Sequence, residues 1–198
     1  MKTSFVACAL ALACLSANAH VIHFDGHSNT IFGDDDGSNG IASVSLDGYT
    51  FSNAADHFHL VDLAQFGAAS NGSSSLLSDR EGSLTMRKDD GRAFDLISVL
   101  GYGYFSSTLT ITGQFADGGT ISAVFAVNPD RLSLLDLSGF RRLNSVSFLG
   151  APTTPSAPAG FGIDNLTLAD ASRDLPEPAT FGLIGLGLAA MGWGRRKQ

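Results

Sequence analysis

Residues 107–127, STLTITGQFADGGTISAVFAV, decide the fold class. In the first half Leu109 and Ile111, then Phe115 after an irregularity at Gly113, fall on one side, and Thr108, Thr110 and Thr112 fall on the other. Ile121, Ala123, Phe125 and Val127 repeat the pattern in the second half. Alternation with period two describes a strand with one buried face and one wet face. Between the halves, Ala116-Asp117-Gly118-Gly119 is turn chemistry whose Asp-Gly step favours a tight hairpin.

Shorter segments of the same kind extend this reading in both directions. Strands are expected at 41–46, 49–51, 57–63, 84–87, 93–100, 145–149 and 161–168, most of them bounded by Gly, Asp, Asn or Pro. Residues 132–143 fit either a strand or a helical turn. No long amphipathic helix and no fixed repeat appears, so the chain is expected to form an all-β antiparallel sandwich or barrel. APTTPSAPAG, 151–160, is a proline-punctuated loop before the last strand, and 169–175 reads as a linker.

The two ends have a different character. MKTSFVACALALACLSANAH opens with Lys2, runs apolar from Phe5 to Leu15 and reaches Ala17-Asn18-Ala19. That is the pattern of a secretory signal peptide over 1–19, with signal peptidase cutting before His20. Both cysteines, Cys8 and Cys14, lie in this leader, so the processed chain can form no disulfide and must rely on its own core, with or without a metal. Residues 20–170 then make one domain of adequate size for a core.

The C-terminal LPEPATFGLIGLGLAAMGWGRRKQ, 175–198, has no charge from Ala179 to Gly194 and then Arg195, Arg196 and Lys197. An apolar run of about sixteen residues is short for a transmembrane helix, and the cations behind it fix the C-terminus on the cytoplasmic side. The orientation is N-out, C-in, with Trp193 at the inner interface. Pro176-Glu177-Pro178 precedes the span, and its prolines hold the chain extended, a form that a processing enzyme can grip.

In order and spacing, the Pro-Glu-Pro triplet, the Gly/Leu/Ala-rich span and the basic cluster resemble the PEP-CTERM sorting signal. That resemblance implies recognition by an exosortase, a transpeptidase-like membrane protease of bacteria that make extracellular polysaccharide. Pro176, Glu177 and Pro178 would be the recognised residues, and Arg195, Arg196 and Lys197 would retain the tail in the membrane. The protein would end at the cell surface or in a biofilm matrix. A plain membrane anchor, with prolines that merely end the domain, is the alternative.

The chain carries 19 acidic against 12 basic residues, and only seven of the basic ones fall in 20–170. Nucleic acid is therefore excluded as a partner, since its binding rests on basic surface. FDLISVLG (94–101), the 107–127 hairpin, SVSFLG (145–150) and GFGIDNLTL (160–168) resemble, in order, the jelly-roll sandwiches of exported carbohydrate-binding modules. In such modules an aspartate of the last strand helps hold a calcium against the first strand. The resemblance thus implies Asp25 and Asp164 as oxygen ligands of a structural calcium, a hard cation suited to carboxylates. Asp164 and Asn165 capping a turn by hydrogen bonds is an equal reading. The acidic run at 33–40 does not fit an EF-hand and reads as a solvated turn.

Tyr102 and Tyr104, in GYGYF (101–105), are candidate glycan contacts, because aromatic faces suit sugar rings; packing in the sheet is the alternative. No nucleophile elbow, metalloprotease helix or phosphate loop is present, and Glu81 is the only glutamate of the body, so no catalytic residue is assigned. The runner-up to a structural or glycan-associating protein is a secreted carbohydrate-active enzyme carrying the same tail. It would be either a glycosidase or a copper monooxygenase, the latter using His20 as new N-terminus with His57 and His59.

Overall fold

The computed structural model describes residues 19–26, 30–32, 42–53, 58–62, 71–78, 83–154 and 159–171. Among the described residues twelve strands form: β1 His20–Ile22, β2 Thr30–Phe32, β3 Ala42–Leu46, β4 Tyr49–Asn53, β5 Phe58–Asp62, β6 Ser74–Ser78, β7 Leu84–Lys88, β8 Phe94–Tyr102, β9 Ser106–Phe115, β10 Thr120–Ala126, β11 Ser133–Pro152 and β12 Phe161–Asp170. All paired strands are antiparallel, and no described residue is helical. The expected all-β sandwich is the fold found.

The 107–127 hairpin forms with Thr120 opposite Gln114 and Ala126 opposite Thr108. Its turn is wider than a two-residue loop. The Phe115 N–H donates to the Gly119 carbonyl, and both Gly118 and Gly119 take positive φ, at 96° and 85°. Only glycine adopts that backbone without a steric penalty, so the Gly-Gly pair sets the turn.

β11 is the device that makes two layers from one hydrogen-bonded sheet. Its first half pairs with β8, from Ser133 opposite Gly101 to Leu143 opposite Phe94. Its second half pairs with β9 on one side and with β7 on the other. One layer therefore runs β2-β5-β6-β12-β8 into the first half of β11, with β1 also on β12; the other runs β3-β4-β7, the second half of β11, β9 and β10. A strand of 20 residues is several times the usual length, and it bends through register shifts between Asp136 and Phe140 and between Phe140 and Leu143. Arg142 takes φ of 54° at the bend, where its N–H donates to Asp95 Oδ1 at 2.7 Å.

These bulges explain why 132–143 reads ambiguously in the sequence. The buried residues are Leu135, Leu137, Phe140, Leu143, Val146 and Phe148, and the intervals of three at the bulges imitate helical spacing. β6, SSLLS, has no alternation and was not expected as a strand; it is buried from Ser75 to Ser78 and pairs on both sides. β2, three residues long, was likewise not expected.

The core lies between the layers. Phe51, Met86, Ile111 and Phe148 from one layer meet Leu76, Leu96, Leu166 and Leu168 from the other in one contiguous cluster. Phe24, just after β1, crosses to Phe51 edge-on at 5.5 Å, and Tyr49 meets Phe94 at 5.3 Å. Each such ring, fully buried, contributes about 1.5–3 kcal/mol by leaving water. No disulfide is needed for a core of this size, which fits a chain whose cysteines both lie in 1–18, outside the described residues.

Candidate functional site

Asp164 sits in β12 just before a register shift, and Asn165 after it takes φ of 47°. The carboxylate is fully buried, and three donors converge on it. Asn71 Nδ2 lies 2.8 Å and Ser73 Oγ 2.7 Å from Oδ2, and the Asn165 N–H donates to Oδ1 at 2.7 Å. Ser73 Oγ also stands 2.6 Å from Asn71 Oδ1, so its one proton is shared. Beside this group, Asp25 Oδ1 accepts the Ser74 N–H at 3.3 Å, and Asn165 Oδ1 pairs with His23 Nδ1 at 2.7 Å.

The segment 71–74 thus joins the end of the first strand to the last. Asp164 and Asp25 accept from adjacent residues of that segment, Ser73 and Ser74. Asn71 and Ser73 belong to the polar run NGSSS, whose composition signals only a turn. A calcium ion asks for six to eight oxygens. Among the described residues there is no group of three His, Cys, Asp or Glu able to hold a metal, and the Asp164 oxygens face N–H and O–H groups. Here both Asp164 oxygens accept hydrogen bonds, which is how the buried carboxylate is held.

The aromatic turn divides its residues. Tyr102 is fully buried: its ring lies over Gly162, where a Cβ would stand 1.8 Å from Cε1, and it packs with Val61 and Leu77. It presents no face to a sugar. Tyr104 is half-buried on the edge of that cluster, and Phe105 is 40% exposed with its ring 4.1 Å from that of Tyr104. Phe105 is held through its backbone, which donates to Gly160 and accepts from Thr153. The aromatic pair at the surface is therefore half-buried Tyr104 with exposed Phe105.

Among the described residues, His20 and His59 do not converge. His20 on β1 pairs opposite Leu168, whereas His59 on β5 lies opposite Leu77, itself opposite Gly162. Six residues of β12 separate those two levels, roughly 20 Å at strand rise. His20 instead packs its ring on Tyr49 at 5.7 Å. His57 and Glu81 lie outside the described residues.

Near His20, Lys88 bridges Asp170 and Asp90. The hydrogen bond from Lys88, then its charge, holds the exposed Asp170 carboxyl below the usual range. Burial, followed by the charges of Asp170 and Asp90, pushes the Tyr49 phenol up to about 12. Asp170 closes β12, two residues before the tail segment 172–198, which is outside the described residues. The expected span at 179–194 and the sorting residues belong to that segment. Among the described residues no helix is long and apolar enough to cross a membrane.

Residues 174–197 match the family model of the PEP-CTERM protein-sorting motif. The tail expected from the sequence is thus present, and the chain carries the C-terminal sorting tail of an exported protein. No curated protein matches the chain. Among solved structures the chain is similar to family 29 carbohydrate-binding modules. One is a lysine-to-alanine variant of CBM29-2, at 12% identity over 79% of this chain and 94% of that one, with a TM-score of 0.38. Another is an aspartate-to-alanine variant of the same module complexed with mannohexaose, at 12% identity over 79% and 93%, also with a TM-score of 0.38.

Proposed function

We propose that the chain is exported, held briefly in the inner membrane, processed at both ends and left at the cell surface or in the extracellular matrix, where its body has a structural or glycan-associating role. The sorting-motif match at 174–197 carries this reading. Signal peptidase removes 1–19; residues 179–194 hold the chain N-out, C-in, with Arg195, Arg196 and Lys197 inside; an exosortase-type protease recognises Pro176, Glu177 and Pro178. Residues 20–170 are the domain delivered. Glycan association is supported by the surface Tyr104–Phe105 pair and by an acidic chain unsuited to nucleic acid.

No catalytic role is proposed, because His20 and His59 stand far apart and no paired-carboxylate cleft is assigned. For Asp25 and Asp164, the hydrogen-bonded reading is preferred to a calcium site. It predicts that EDTA leaves the melting temperature of the full chain unchanged. A drop that Asp164→Ala abolishes would put the ion back.

The test of the sorting reading is Glu177→Ala expressed in the native cell. Export should continue and the tail should remain attached, read as a mass increase of the exported product. Normal tail removal in that variant would count against recognition of the triplet.

A further inference from the structure

The second layer turns an ordered polar array outward. Its strand registers place Ser43 opposite Ser52, Ser52 opposite Thr85, Thr85 opposite Ser147, Ser147 opposite Thr112 and Thr112 opposite Ser122. Six strands therefore contribute one hydroxyl each to a single straight row. Each is exposed or half-buried, while its strand neighbours Phe51, Met86, Phe148 and Ile111 point into the core. Neighbouring strands lie about 4.8 Å apart, so the row spans roughly 24 Å.

Three properties define what this face can hold. The row has no charge, in a chain whose acidic residues outnumber its basic ones 19 to 12. Three of its hydroxyls are already oriented: Thr112 Oγ1 and Ser122 Oγ are 3.0 Å apart, and Ser147 Oγ donates to the Thr112 carbonyl at 3.4 Å. The β-branched threonines are stiff at χ1, which lowers the entropy lost on contact. Along the next row, Leu149, Thr110 and Val124 face the same way, with Leu149 46% and Val124 65% exposed. A hydroxyl row with Leu149 and Val124 flanking Thr110 in the row beside it, about 6.8 Å away, matches a pyranose chain, which has hydroxyls at its edges and C–H groups on its ring faces. The row on the other side, with Arg87 its one charged side chain, closes the uncharged area.

We propose that this face of the β3-β4-β7-β11-β9-β10 layer is the contact surface for a neutral polysaccharide lying across the strands, with one hydroxyl partner per strand and the Leu149–Val124 row under the sugar rings. The proposal rests on the glycan-associating part of the function above and names where association occurs. An ionic polymer lacks counter-charges on this row, and the strand spacing, close to the length of one sugar, suits a repeating chain.

The test is depletion of the full chain, purified in a non-glycosidic detergent, by particles of cellulose, chitin and insoluble α-glucan. The unaltered chain is expected to bind at least one. Thr112→Val with Ser147→Ala keeps the shape and removes two hydroxyls, and should weaken binding about tenfold. Thr112→Lys with Ser147→Lys should abolish it. Tyr104→Ala with Phe105→Ala removes an aromatic contact that lies off this row, and should weaken binding less than the lysine pair does. Row variants that bind like the unaltered chain, with loss confined to the aromatic variant, would overturn this assignment and leave glycan association standing. No binding to any particle would overturn both. A dimer in sedimentation that the lysine pair dissociates would overturn it too, by making the face a self-interface.

Discussion

The outer faces of the two layers are built in opposite ways. On the β12 layer the outward side holds Tyr102, Leu77 and Val61 and the Asp164 carboxylate, all at 1% exposure or less. On the β11–β9 layer the outward side is an open field of hydroxyls with Leu149 and Val124. The first face is closed by its own chain and works as interior; the second is left open to solvent. Substitutions should therefore cost stability on the first and contact on the second.

The comparison is tested most strongly at Asp164. Asp164→Ala removes the buried acceptor shared by Asn71, Ser73 and Asn165, and should cost about 3 kcal/mol in chemical denaturation of the full chain. A loss under 1 kcal/mol would mean that the closed face is not interior. Gly162→Ala comes next. Its added methyl would overlap the Tyr102 ring, and displacing that ring should cost about 2 kcal/mol. Smallest are Thr85→Val and Thr112→Val on the open face, each expected within about 0.5 kcal/mol of the unaltered chain. A large loss there would erase the distinction.

The inner side of the open layer gives a pH-dependent check. The Tyr49 phenol, buried and raised to about 12, stays protonated in the folded chain after it has ionised in the unfolded one. Between pH 10 and about 12 the unfolded state binds fewer protons, so stability falls as pH rises; below pH 10 this group leaves stability unchanged. Tyr49→Phe should flatten that alkaline decline in a denaturation series. At the acid end the lowered Asp170 carboxyl works in the other sense: its contribution is present above the ordinary carboxylate pKa and is lost as pH falls through the folded value. Asp170 is 83% exposed, so the effect is small.

Local pattern made much of this legible. The 107–127 alternation predicts β9 and β10 because each strand has one dry side, and the tail declares itself through triplet, span and cations. Three things escaped for physical reasons. The bulges in β11 turn period two into period three. β6 has little alternation because both its sides are covered. The donors on Asp164 come from a serine-rich turn more than 90 residues earlier, which no local signal connects to it. The threonines of β9 stand out in the sequence, but their alignment with Ser43, Ser52, Thr85, Ser147 and Ser122 depends on long-range register and exists only in the folded sheet. Tyr102 is buried because Gly162 opposite it leaves room for the ring.

The central claim, that the sorted body is delivered to surface polysaccharide without its ends, is met most directly by the intact mass of the protein that copurifies with the polysaccharide of living cells. The account predicts a chain that begins at His20 and lacks the segment after Pro178. Recovery of the full 198 residues, or of the chain only in the cytosolic fraction, would contradict it.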